Sequence, residues 1–196
     1  MCDNVMIRAF IEEAKAITTN HSFAGMPNKS MFWAHTEGSY PLFPYERNNF
    51  LCALYVNSVD PQTYKLDTLD SIDQVNAFFS RYQRDYPPII LDAAWDVFSR
   101  AFAQQVLGDH IFVAANDMKP NDFFVRVELP ELEGRIKNVT TIEPIVDQSG
   151  MLACKTTSWL FSEWKPSQQR QWNNHDHYLD GQIYPPELRS QRCPQF

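Results

Sequence analysis

Apolar positions recur at helical spacing through much of the first half of the chain and at strand-like spacing through most of the second. Met6, Phe10, Ala14 and Ile17 form one stripe, while Arg8, Glu12 and Lys15 fall on the other side. That spacing predicts a helix capped by Asp3 and running to about Ile17. Residues 18–49 carry no period and hold Gly25, Gly38, Pro27, Pro41 and Pro44, which predicts a long loop with a short strand at MFWAH. FLCALYVNSV, from Phe50, has the β-branched and aromatic content of a strand. Ser71 and Gln74 form a capping-box pattern, and Ile72, Val75, Phe78, Phe79 and Tyr82 continue at helical spacing toward Arg84. Pro87 and Pro88 are expected to stop that helix. Asp92 is then the expected cap of AAWDVFSRAFAQQVL, whose apolar residues cover more than one face, with Gly108 placed to end it in a left-handed conformation.

Beyond Gly108 the pattern shortens. IFVAA, DFFVRVEL, GRIKNVTTIEPIV and MLACKTTSWLF read as strands, separated by the turn-like MKPND, PELEG and DQSG. In FFVRVEL the alternation of Phe124, Arg126 and Glu128 with Phe123, Val125, Val127 and Leu129 fits a strand with one covered face. A helix-rich first half followed by a strand-rich second half predicts an α+β fold, with two or three helices on a mostly antiparallel sheet. Residues 1–164 are expected to form that single domain. Residues 165–196, rich in Gln, Asn, Pro and Arg, are expected to form an extended C-terminal arm, packed on the domain or partly mobile.

Composition narrows the function classes. With 196 residues and 44% apolar content the chain is large enough for one sizeable core. Its net charge of -7 argues against nucleic acid, which requires a basic footprint. It suits a protein partner with a more basic surface. No stretch approaches the roughly 18 to 20 consecutive apolar residues of a membrane span. The N-terminal residues, with Glu12 and Glu13, do not read as an export signal, so a cytoplasmic location is expected.

The one pattern with specific chemistry is WNNHDHYLDGQIYPPELR. On a strand, His175 and His177 point to the same side and can share a metal ion, with Asp180 adding oxygen. A competent site needs further ligands from the fold, for which His21, His35, His110 and Glu187 are candidates. Gly181 stands where the cupin pattern has a Glu. The four cysteines, Cys2, Cys52, Cys154 and Cys193, are widely spaced and spell neither a zinc knuckle nor a redox pair. Cys52 and Cys154 lie in apolar runs and read as small core residues. A nucleophile pair of Cys154 with His110 is the weaker catalytic option.

The aromatic residues point elsewhere. Trp33, Tyr40, Tyr45, Trp164, Trp172, Tyr178 and Tyr184 stand beside polar groups in the long loop and the arm, and such residues anchor protein interfaces. The leading expectation is therefore a non-enzymatic protein that works by stoichiometric binding, as an inhibitor, immunity or counter-defence protein does, without a cofactor. The alternatives are a metal-dependent hydrolase or oxygenase built on His175 and His177, with a divalent metal, and a structural subunit of a larger assembly.

Overall fold

The computed structural model describes residues 4–33, 66–114, 123–146 and 152–164. Helix α1 (Asn4–Asn20) extends one turn past the apolar stripe that predicts it. Strand β1 (Met31–Trp33) lies inside the expected MFWAH segment. A 3₁₀ turn at Leu69–Ser71 precedes α2 (Asp73–Tyr82). Ser71 does not cap α2: its hydroxyl donates to the Thr68 carbonyl at 2.6 Å and accepts from the Thr68 N–H at 3.3 Å, closing the turn before the helix.

Helix α3 (Pro88–Gln104) starts four residues earlier than Asp92. Pro88 occupies its first turn, where the missing N–H costs nothing and the fixed φ suits the helix. The prolines that end one helix therefore open the next, and Asp92 lies inside α3. Its buried residues, Ile90, Ala94, Phe98, Ser99, Phe102 and Ala103, form one stripe, and Ile89 is exposed.

Strands β2 (His110–Ala114), β3 (Asn138–Val146) and β4 (Leu152–Leu160) fall in three of the predicted strands. The fourth prediction is overturned. Phe124–Glu128 is a π-helical turn running into a short helix, α4 (Leu129–Leu132). Its buried residues include Phe124, Glu128 and Leu132, four apart, with Val127 and Leu129 beside them, and do not alternate in twos. The strand from Phe50 and the arm 165–196 lie outside the described residues.

The four described strands make one sheet in the order β1-β2-β3-β4. β1 and β3 both pair with β2 in parallel, and β4 pairs antiparallel with β3 over nine residue pairs. The α+β class holds, with a mixed sheet instead of a mostly antiparallel one. The cause is connection length. The chain passes from β1 to β2 through α2 and α3, and from β2 to β3 through the π turn and α4. Crossovers of that length return a strand in the same direction, whereas the short link from β3 to β4 reverses it.

The helices cover one face of the sheet. Phe32, Ile111, Val113 and Val139 point into a core shared with Phe10 and Ala14 of α1, Val75 and Phe78 of α2, and Phe98 and Phe102 of α3. Aromatic rings carry much of it: Phe78 meets Phe10 at 4.9 Å and Phe98 at 5.2 Å, and Phe32 meets Phe102 at 5.2 Å between centroids. The opposite face begins with a second buried cluster of Met31, Leu66, Phe112, Ala114 and Ile142, against which Cys154 packs. That face becomes polar toward one end of the strands.

Candidate functional site

The polar end of the second face is built from a tight turn. Gly108 has φ +87°, and a Cβ there would stand 2.0 Å from the Asn28 side-chain oxygen. The space that glycine leaves is used: Asn28 Oδ1 accepts from the backbone N–H groups of Asp109 at 2.9 Å and His110 at 3.1 Å. Asn28 itself takes φ 60°, and its N–H donates to the Leu107 carbonyl at 2.8 Å. On the other side, the Asp109 carbonyl accepts from the N–H groups of Lys137 and Asn138 at 2.8 and 3.0 Å, and the Lys137 ammonium pairs with the Asp109 carboxylate at 3.1 Å. These contacts fix the first residue of β2 against the first of β3.

His110 is the side chain so positioned. Its Nε2 lies 2.9 Å from Thr140 Oγ1, and Thr140 Oγ1 lies 3.3 Å from Ser158 Oγ, giving one hydrogen-bonded row across β2, β3 and β4. The imidazole stacks on Phe112 with centroids 4.8 Å apart. Half-burial pushes its pKa below the ordinary value; Asp109 opposes that shift and Lys29 adds to it. The ring is therefore neutral at pH 7, with one nitrogen to donate and one to accept.

Register places the neighbours. Asn138 pairs with Leu160 and Thr140 with Ser158, so these four side chains share the face of His110. Together with Glu163, just past β4, they border an open hollow of about 460 Å³. Trp159 stands on the opposite face, where its indole N–H donates to Thr141 Oγ1 at 3.3 Å.

Strand β4 is also an edge. Among the described residues it has a partner on one side only. Lys155, Thr156, Ser158, Trp159 and Leu160 are exposed, so residues on both faces of its C-terminal half meet solvent. Trp159 and Leu160, 37% and 52% exposed, form an adjacent apolar pair at its end. Of its nine residues only Lys155 is charged and none is proline, so its C-terminal half, Thr156 to Leu160, carries neither of those two protections against pairing.

The residues singled out from the sequence fare unevenly. Trp164, expected on an exposed surface, is fully buried beside Phe124 and Phe161, so it belongs to the core. Trp33 contributes backbone to β1. Tyr40, Tyr45, Trp172, Tyr178 and Tyr184, and the metal candidates His175, His177 and Asp180, lie outside the described residues. Among the described residues no group of three His, Cys, Asp or Glu side chains is placed to hold a metal ion. Cys154 is disulfide-bonded, which corrects its reading as a plain core thiol and removes the Cys154–His110 nucleophile pair. No sequence motif groups His110, Thr140 and Ser158. The available signal was polar residues at alternate positions, 138 and 140 on one strand and 158 on the next, inside otherwise apolar strands.

No protein-family model, curated protein or solved structure matches the chain.

Proposed function

We propose that this protein acts by stoichiometric binding of another protein, and that the outer edge of β4 receives an extended segment of that partner. The observation that carries the reading is the long edge strand itself, open among the described residues and ending in the exposed pair Trp159 and Leu160. An added strand gains main-chain hydrogen bonds along the edge and specificity from alternate side chains. Trp159 is held in place by its bond to Thr141, so little side-chain entropy is lost when a partner covers it. The net charge of -7 favours a partner with a basic surface, by steering their encounter. Inhibitors and immunity proteins work in this manner, and the proposal extends to that class.

Among the described residues no helix is long and apolar enough to cross a membrane.

The test is site-specific photo-cross-linking in the cell of origin. A benzophenone side chain replaces Ser158 on β4 or, as a control, Lys15 on the exposed side of α1. The proposal expects one dominant adduct from position 158 and none from position 15, with the adduct mapping to an extended segment of a different protein. An adduct to a second copy of this chain would favour the assembly alternative, and equal labelling from both positions would sink the edge as the binding surface.

A further inference from the structure

The hollow beside His110 has a chemistry of its own, although Ser158, Trp159 and Leu160 of β4 line it. Its rim carries the amide of Asn138, the hydroxyls of Thr140 and Ser158, the imidazole of His110 and the carboxylate of Glu163, with Leu160, Val139 and Trp159 as its apolar part. Every one of these polar groups except Glu163 both donates and accepts. Among the described residues no Lys or Arg lines it, so a phosphate or carboxylate would meet a carboxylate and no compensating cation. A cation would have Glu163 alone, without the ligand set that holds a metal. The volume of about 460 Å³ falls within the roughly 300–1,000 Å³ of ligand clefts. The hollow is open, and a preformed hydrogen-bonded row, His110–Thr140–Ser158, runs along it, held by the Asn28 turn and the β3–β4 register.

A neutral ligand with closely spaced hydroxyls meets all of these conditions. Vicinal hydroxyls each donate and accept, matching a carboxylate paired with amide and hydroxyl groups. The C–H face of a pyranose ring suits Leu160. We infer that the hollow bounded by His110, Asn138, Thr140, Ser158, Leu160 and Glu163 is a saccharide-binding site. Thr140, 6% exposed, sets the floor, and the exposed Ser158, Asn138 and Glu163 make the adjustable contacts. An open site burying one ring holds it with a Kd of about 1 mM.

The experiment is a titration of the isotopically labelled full chain followed by amide chemical shifts. The probes are glucose, galactose, mannose and N-acetylglucosamine, each also as its methyl glycoside, with inorganic phosphate as the charged comparison. The inference expects saturable shifts from at least one sugar, confined to the starts of β2 and β3 and the end of β4. Ser158→Ala and Glu163→Gln, both at exposed positions that leave the fold intact, are expected to weaken that sugar by about tenfold each. Binding of the methyl glycoside would assign the site to a glycan end, and binding of the reducing sugar alone to the free saccharide; either supports the inference. Absence of shifts with every sugar well above the millimolar range, shifts unaffected by both substitutions, or saturable phosphate shifts at these residues would overturn it. Strand addition at β4 is read separately, by hydrogen exchange of the outward main-chain amides, although it shares Ser158, Trp159 and Leu160 with the hollow.

Discussion

Glu128 is the residue under most electrostatic tension among those described. It sits at the end of the π turn with 6% exposure, hydrogen-bonded to Ser99 of α3. Burial raises its pKa from the ordinary 4.5 to about 8; the Ser99 hydrogen bond opposes that rise and Asp70 adds to it. The folded chain thus keeps a proton that the unfolded chain releases above its ordinary pKa. Stability is greatest below pH 4.5 as far as this group is concerned and declines as pH rises toward about 8. The loss reaches on the order of 3 kcal/mol by pH 7. Glu128→Gln keeps the shape and the hydrogen bond without the titration. Chemical denaturation between pH 5 and 8 should show the wild-type stability falling and the variant nearly flat. Parallel profiles would remove Glu128 from the account.

A second residue-scale prediction concerns Gly108. Its positive φ alone makes a side chain strained, and the Asn28 contact adds a clash. Gly134 has φ +75° with nothing near its missing Cβ, so it isolates the strain from the clash. Both Ala variants should lose stability, with Gly134→Ala costing about 1 kcal/mol and Gly108→Ala clearly more. Amide shifts of His110 should move in the Gly108 variant only. Equal losses would mean that the Asn28 turn yields freely and does not fix the site.

At the scale of elements, most strands and helices were legible because one side of each is covered and the other is not. The stripe through Phe10 and Ala14 and the strand-like runs of β2, β3 and β4 needed no tertiary information. The failures have local causes. FFVRVEL satisfies both a two-residue and a three-to-four-residue period, and a run that short cannot decide between them. The choice was made by the surroundings: Phe124 packs on Phe32 at 5.3 Å, and Arg126 reaches Asp96 of α3 with two bonds at 2.7 and 2.8 Å. A π turn brings those contacts together without interrupting the helical segment, and such turns mark places where packing overrides local preference. Pro88 signals a stop and a start alike, because proline ends one helix as readily as it begins another. Strand direction escaped because it depends on crossovers, one of which spans more chain than any local pattern. The hollow was the least legible feature. Thr140 and Ser158 are eighteen residues apart, and His110 is thirty from Thr140. Only the register of three strands puts them in one row.

For the whole molecule, a three-helix core joins a sheet whose β4, paired on one side only among the described residues, ends in two adjacent exposed apolar residues. The helix-covered face is a packed aromatic core and offers stability. The other face is apolar where Met31, Phe112 and Ile142 are buried and polar where His110 looks out. With Trp164 buried in that core and the half-buried Trp95 stacked on Phe79, Trp159 is the described tryptophan among the exposed large apolar side chains. The binding account therefore stands on β4 being open, and this is measurable without knowing the partner. Amide hydrogen exchange of the dilute, isolated chain, resolved residue by residue along β4, reads it directly. The account predicts a strict alternation from Thr156 to Leu160: amides bonded to β3 protected, and those pointing outward exchanging almost as fast as in an unfolded peptide. Uniform slow exchange along the strand would mean that the edge is already filled, and binding by strand addition would have no place to occur.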